Sequence, residues 1–214
     1  MRKFKDAAYG VLAQVAKALA SPQRVELLDL VAQRPRTVGD LADALGQPVA
    51  NTSHHLRRLL QDRLVTRDTD GVHALYALAT GVAPLLAGLH AAATCRSATL
   101  RELKHEVMGE DELGAADLPA VLARVARGEV VLLDVRPAAE YAAGHLPGAR
   151  SVPLHELDAA LAEMPQDADV VACCRGPLCV FAAEAVQRVR ATGRRAQHLS
   201  AGVVELAAQR GPLP

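Results

Sequence analysis

Apolar residues recur at helical spacing through the first third of the chain. Val25, Leu27, Leu28 and Val31 follow Ser21-Pro22, a cap residue with proline at the first helical position. Leu41, Ala44 and Leu45 follow Thr37-Val38-Gly39-Asp40, the pattern of a capping box. Gly46-Gln47-Pro48 breaks that helix, and a further one is predicted from about Val49 to Asp62, turning Thr52, Leu56, Leu59 and Leu60 inward. Alternation then replaces the helical period. Leu64–Arg67 and His73–Leu78 read as strands around the turn dipeptide Asp70-Gly71. Helix, helix, tight turn, helix, hairpin is the order of a winged helix-turn-helix.

Residues 82–108 predict one long helix, with Val82, Leu86, Leu89, Ala93, Leu100, Leu103 and Val107 roughly along one face. No globular partner follows at once, so this stripe is expected to meet its own copy in a homodimer. GEDELGAA, residues 109–116, is polar and glycine-flanked and reads as a linker. From Leu118 strands alternate with helices. Val130–Val135, which ends in Asp134 and Arg136, and Val170–Cys173 are apolar runs suited to central parallel strands covered on both faces. Two domains follow: a mainly α winged helix-turn-helix over 1–108 and an α/β parallel-sheet domain over 117–214.

With 214 residues and half of them apolar, two buried cores are feasible, although Trp is absent and alanine and leucine must supply most of the packing. The net charge of zero by itself argues against a purely electrostatic nucleic-acid binder. The charge is uneven, however: residues 1–80 hold 11 Lys and Arg against 8 Asp and Glu, while 113–214 hold 10 against 11. No 18-residue apolar run is free of charge, and MRKFKDAAYG lacks the apolar core of a signal peptide. A cytoplasmic protein without a membrane partner is the expectation, in which four cysteines are reduced, reactive or metal-binding rather than structural disulfides.

Two stretches carry chemistry. In VVACCRGPLCVF, residues 170–181, a strand runs into a six-residue loop bounded by Cys174 and Cys179, and a helix-forming segment from Val180 to Val189 follows. Unpaired amides and the positive dipole end at a helix start favour an anion there, a thiolate or the persulfide it becomes on accepting sulfur. Strand alternation points Cys173 away from Cys174 and into the core. In VANTSHHLRRLLQ, residues 49–61, the open side holds Asn51, Ser53, His54, Arg57, Arg58 and Gln61, polar and cationic groups that reach base edges and phosphates. Arg67 and His73 flank the wing. The alternative for this face is plain solvation.

Residues 5–105 resemble the ArsR/SmtB family of dimeric repressors, through SPQRVELLDL, SHHL and LVTRD…HALYAL. The resemblance implies a homodimer on double-stranded operator DNA that releases it on binding an inducer. Many members sense metals through thiols on the helix before the recognition helix, but TVGDLADAL holds neither Cys nor His. A second family site uses His and carboxylates on the dimer helix. His90, Glu102, His105 and Glu106 give no full ligand set here and read as a solvated charged face, with Cys95 beside them as a packing residue.

Residues 113–210 resemble a single rhodanese domain, through LLDVRPAAEYAAGHLPGARSVPL, the Cys-led loop and LSAGVVEL. The resemblance puts Cys174 at the sulfur-accepting position and gives Asp134, Arg136, Glu140 and His145 a bracing role around the site. The Cys174 thiolate would attack the sulfane sulfur of a small donor, with loop amides and the helix dipole holding the anion. Pro177 removes one amide from that cradle. Many rhodaneses carry a cation at the last loop position, where this chain has Cys179. That change weakens thiosulfate binding and offers a resolving thiol, the alternative being a small hydrophobe buried at the helix start. Arg175 supplies positive charge for thiolate formation.

The expectation is a DNA-binding repressor whose operator binding responds to reactive sulfur species at Cys174. Two other readings stay open. One is a working sulfurtransferase, using a Cys174 persulfide, that the DNA-binding half localises or regulates. The other is a soft-metal or arsenite sensor, for which two thiolates need a third ligand such as Cys95. No cofactor is implied and no metal site is assigned.

Overall fold

The computed structural model describes residues 1–108, 112–113 and 117–210, and the chain divides into two compact units, Met1–Val82 and Ala83–Pro214. The first unit runs α1 (Arg2–Leu19), α2 (Pro22–Gln33), β1 (Arg36–Thr37), α3 (Val38–Leu45), α4 (Val49–Gln61), β2 (Val65–Asp70) and β3 (His73–Leu78). Its strands pair antiparallel in the order β1-β3-β2, the wing of a winged helix-turn-helix. Leu27, Leu28, Leu41, Leu56 and Leu59, all fully buried, make its core. Two of its boundaries have a plain local cause. Thr37 and Asp40 close a reciprocal capping box at the start of α3. Arg24 donates to the carbonyls of Lys17 and Ala18, satisfying the orphan acceptors at the end of α1. The wing is longer than the sequence suggests, because Asp70 pairs with His73 and the turn falls on Gly71-Val72 rather than on Asp70-Gly71.

The second unit begins with α5 (Ala83–Arg96) and α6 (Ala98–Met108) and continues through β4 (Glu112–Leu113), α7 (Leu118–Ala126), β5 (Val131–Asp134), α8 (Ala138–Ala143) and β6 (Arg150–Ser151). A 3-10 turn (Leu154–Glu156), α9 (Leu157–Glu163), β7 (Val170–Cys173), α10 (Phe181–Ala191), β8 (Ala196–Leu199) and α11 (Val203–Arg210) complete it. Its sheet has the order β4-β8-β7-β5-β6 with every pair parallel. Alternation along the central strands sends Leu133, Ala172 and Cys174 into one apolar layer, with Leu157, Val186 and Val189. Leu132, Val171 and Cys173 enter the other, with Leu118, Leu146 and Leu206. A parallel sheet covered on both faces explains why its strands read as continuous apolar runs.

Three expectations change. The long helix over 82–108 is two helices: Ser97 accepts from the Leu100 amide to start α6, and Arg101 donates to the carbonyls of Thr94 and Cys95 at the end of α5. The segment 83–108 groups with the second unit, since α5 packs along α11 and Leu86 is buried within this chain. Within the stretch 109–116 expected as a linker, Glu112 and Leu113 form β4 against β8, while 109–111 and 114–116 lie outside the described residues.

Candidate functional site

Strand β7 delivers Cys173 and Cys174 to the carboxyl end of the sheet, where α/β folds build their sites. Cys174 opens the loop and is joined to Cys179 by a disulfide across a Cα separation of 6.2 Å. The two bonded cysteines differ from the reduced thiols expected, whereas Cys95, exposed rather than packed, and Cys173, buried, carry free thiols. The sulfurs are unequally accessible: Cys174 is 2 % exposed inside the apolar layer, and Cys179 is partly buried between the exposed Leu178 and Val180. Cys179 rather than Cys174 stands at the foot of α10, directly before its N-cap residue Val180. The Cys179 amide donates to the Gly176 carbonyl at 3.2 Å, so this amide closes a turn instead of facing a sulfur. Burial pushes the Cys173 thiol well up, the Asp134 carboxylate adding to the rise and Arg136 opposing it.

The charged groups around this loop are paired. Arg136 forks onto Asp134 at 2.9 and 2.6 Å, both side chains 1 % exposed, and also donates to the Gly144 carbonyl at 2.8 Å. Burial would lower the guanidinium's pKa, and the Asp134 hydrogen bonds and charge outweigh it, keeping Arg136 protonated. Asp134 and Arg136 thus tie the end of β5 to the turn after α8. Arg175 does not turn to the sulfur as expected: it forks onto the buried Glu140 at 2.9 and 2.7 Å and lies 5.6 Å above the Phe181 ring. Opposite charge so close takes up the cation that the thiolate was to use. His145 is exposed and stacks on Tyr141, whose hydroxyl donates to the Ala149 carbonyl.

Sequence reasoning missed Glu205. Its carboxylate accepts from the Gly202 amide at 2.8 Å, capping α11, and its oxygens stand 3.4 and 3.6 Å from where a Cβ on Gly176 would be. The signal was present as Gly202-x-x-Glu205, a cap residue with Glu at the third helical position. Gly202 presses on the loop so closely that a Cβ there would sit 2.7 Å from the Arg175 oxygen and 2.8 Å from that of Cys174. On the far side of Glu205 stands His90 of α5, with Nδ1 at 3.9 Å and only 9 % exposed. His90 therefore leaves the solvated face expected for it, while Glu102, His105 and Glu106 stay exposed. Among the described residues no three His, Cys, Asp or Glu side chains group to hold a metal.

In the first unit α4 presents Asn51, His54 and Arg57 to solvent, with Ser53 half-buried beside them. Asn51 reaches Gln47 at 3.2 Å, and Arg57 turns back to the Ser53 carbonyl at 3.3 Å. Arg58 pairs with Asp62 at 2.7 Å, which holds its charge on the helix instead of the open side. Arg67 and His73 are exposed on the two wing strands. His55 stays neutral more readily than a free histidine, because burial lowers its pKa and the charges of Arg24 and His54 act the same way.

A polar and basic helix set beside a two-stranded wing, joined in one chain to a cysteine loop at the end of a parallel sheet, defines a DNA-binding transcriptional regulator with a rhodanese-like domain. Residues 21–67 match the family model of the bacterial regulatory proteins of the arsR family, and 117–209 match that of the rhodanese-like domain. The chain belongs to the arsR family, in a form that carries the rhodanese-like domain at its C-terminal side. It is 40 % identical over 204 residues to the HTH-type transcriptional regulator Rv0324 of Mycobacterium tuberculosis, covering 94 % of this chain and 89 % of that protein. A sulfurtransferase of Allochromatium vinosum is 43 % identical over 47 residues, 22 % of this chain and 44 % of that one. Among solved structures, the homodimeric winged helix-turn-helix DNA-binding domain Mb0332 from Mycobacterium bovis aligns with TM-score 0.42 and 34 % identity, over 43 % of this chain and 86 % of that one. No helix among the described residues is long and apolar enough to cross a membrane.

Proposed function

We propose that this regulator is a cytoplasmic homodimeric repressor that reads reactive sulfur through Cys174 and Cys179 and changes its hold on operator DNA in response. The observation that carries the reading is the bond between these two cysteines, in a loop at the end of a rhodanese-type strand. Reduction of the bond frees the loop to bring the Cys174 sulfur, buried in the bonded form, to the surface, where its thiolate takes the outer sulfur of an organic persulfide and releases the donor's thiolate. The Cys179 thiolate then attacks the Cys174 sulfur, expels hydrosulfide and leaves the disulfide. The absence of Cys and His from α3 argues for a cue other than the family's metals. Dimer formation is supported by apolar side chains left exposed on α1 (Phe4, Tyr9, Val11, Leu12) and on α6 (Leu103, Val107). Asn51, Ser53, His54 and Arg57 serve as the base and phosphate contacts, with Arg67 and His73 from the wing; Arg58 joins them only by leaving Asp62.

Exposure of the reduced full-length protein to an organic persulfide tests the chemistry. The expected product is two hydrogens lighter than the reduced chain, with one hydrosulfide released per chain. Cys179→Ser should instead stop one sulfur atom heavier. A wild-type chain whose mass does not change rejects the reading. A second reading, catalytic sulfur transfer, is favoured by the short likeness to the Allochromatium sulfurtransferase. Repeated turnover of donor to a thiol acceptor, lost in Cys174→Ser, distinguishes it from a single event per chain.

A further inference from the structure

The unequal burial of the two sulfurs and the pairing of the loop's charges bear on how the disulfide is reopened. We infer that the bond is reduced by a low-molecular-weight thiol that is uncharged and apolar near its sulfur, entering at Cys179; the inference rests on the reading of Cys174 and Cys179 as a redox-active pair. Exchange needs the attacking sulfur in line with the bond, and the sulfur attacked must be reachable. Cys174 is 2 % exposed and fails that condition, while Cys179 is only partly buried. The rim beside Cys179 is apolar, with Leu178 46 % and Val180 45 % exposed and Phe181 half-buried behind them.

Electrostatics selects in the same direction. The guanidiniums of Arg136 and Arg175 are matched by carboxylates, Arg136 by Asp134 and Arg175 by Glu140. Glu205 brings a further carboxylate beside Gly176, and its neighbour His90 offsets that charge only when protonated. Among the described residues that line the loop, an anionic thiol thus meets guanidiniums already paired and at least one carboxylate. Taking a separation of about 7 Å in water as a reference, each added negative charge on the incoming thiol slows its approach to one carboxylate by about threefold.

The two thiols are the reductant. The thiol loses its proton to solvent, and its sulfur bonds to the Cys179 sulfur. The Cys174 sulfur leaves with the electron pair as a thiolate. A second thiol attacks the mixed disulfide, giving the small-molecule disulfide and the Cys179 thiolate. Two thiols are oxidised and one protein disulfide is reduced.

The test uses the oxidised full-length protein with benzyl mercaptan, 2-mercaptoethanol and mercaptosuccinate. Each rate is divided by that thiol's rate on a small uncharged disulfide, which removes differences in intrinsic nucleophilicity. The expected order is benzyl mercaptan, then mercaptoethanol, then mercaptosuccinate, the last slower than mercaptoethanol by about threefold or more. Leu178→Lys should raise the ratio of mercaptosuccinate to mercaptoethanol severalfold, and acid-quenched fragments should carry the adduct on Cys179. Mercaptosuccinate matching mercaptoethanol, or an adduct on Cys174, overturns the inference while leaving the pair redox-active. No exchange with any thiol in the folded chain, but exchange after unfolding, removes the underlying reading as well.

Discussion

Cys173 and Cys174 are adjacent in the chain and meet different environments, because a strand turns successive side chains to opposite faces. The Cys173 thiol, pushed well up by burial, is a poor nucleophile at neutral pH. Iodoacetamide on the reduced native protein should therefore label Cys95 and leave Cys173 unmodified until the chain is unfolded; intact-mass spectra before and after denaturant decide it. The pair Glu140–Arg175 makes a second test at this scale. Glu140→Gln keeps the shape but removes a buried carboxylate from its charge-assisted fork with Arg175, and should cost about 2 kcal/mol in a denaturant titration. It also removes the carboxylate charge paired with Arg175, so the normalised rate with mercaptosuccinate should rise. A variant as stable as wild type would show that the fork contributes nothing. In His55 the sign runs the other way from a salt-bridged histidine. Its folded pKa lies below the ordinary 6.5, so the unfolded chain binds the proton more readily. Its contribution is complete above that value and declines as pH falls through it, a slope that His55→Gln should reduce. The cysteine loop was legible in the sequence because its residues are contiguous. The destination of the Arg175 charge was not, since Glu140 lies 35 residues away and no local pattern joins them.

The elements follow local rules where the rules are strong. The capping box of α3 was readable from Thr37 to Asp40, and Thr37→Ala should destabilise the protein by about 1 kcal/mol in thermal or denaturant unfolding. Central strands β5 and β7 were readable as apolar runs, and their parallel pairing followed from the helices between them. The break at Ser97 was not readable. Serine is tolerated within an amphipathic pattern, and only the hydrogen bonds from Leu100 and Arg101 mark it as a cap. Strand β4 has two residues, too short for any period to register. The turn into α11 is where element packing bears most directly on the site. Gly202→Ala would put a methyl within 3 Å of the carbonyls of Cys174 and Arg175, so the loop or α11 must shift. A loss of about 1–3 kcal/mol is expected, together with a changed rate of disulfide reduction. Reduction at the wild-type rate would mean that Gly202 does not hold the loop in place.

In the chain as a whole a DNA reader is joined to a cysteine pair, and within the second unit α5 packs on α11 and α6 on α10. The sequence made both halves recognisable, but not the packing of α5 on α11, which are far apart in the chain and joined by no local pattern. Sedimentation of the full-length protein should give a dimer, and charged substitutions at Tyr9 and Leu12 on the exposed face of α1 should shift it toward monomer. Under the proposed function the state of the Cys174–Cys179 bond sets the affinity for DNA. Fluorescence-anisotropy titration of one operator duplex, selected by the protein from a random pool, at fixed salt decides this. Oxidised and dithiothreitol-reduced wild-type protein should differ in Kd by about fivefold or more, and Cys174→Ser should give one Kd under both conditions. Superimposable wild-type curves, with the two redox states verified by mass, would contradict it.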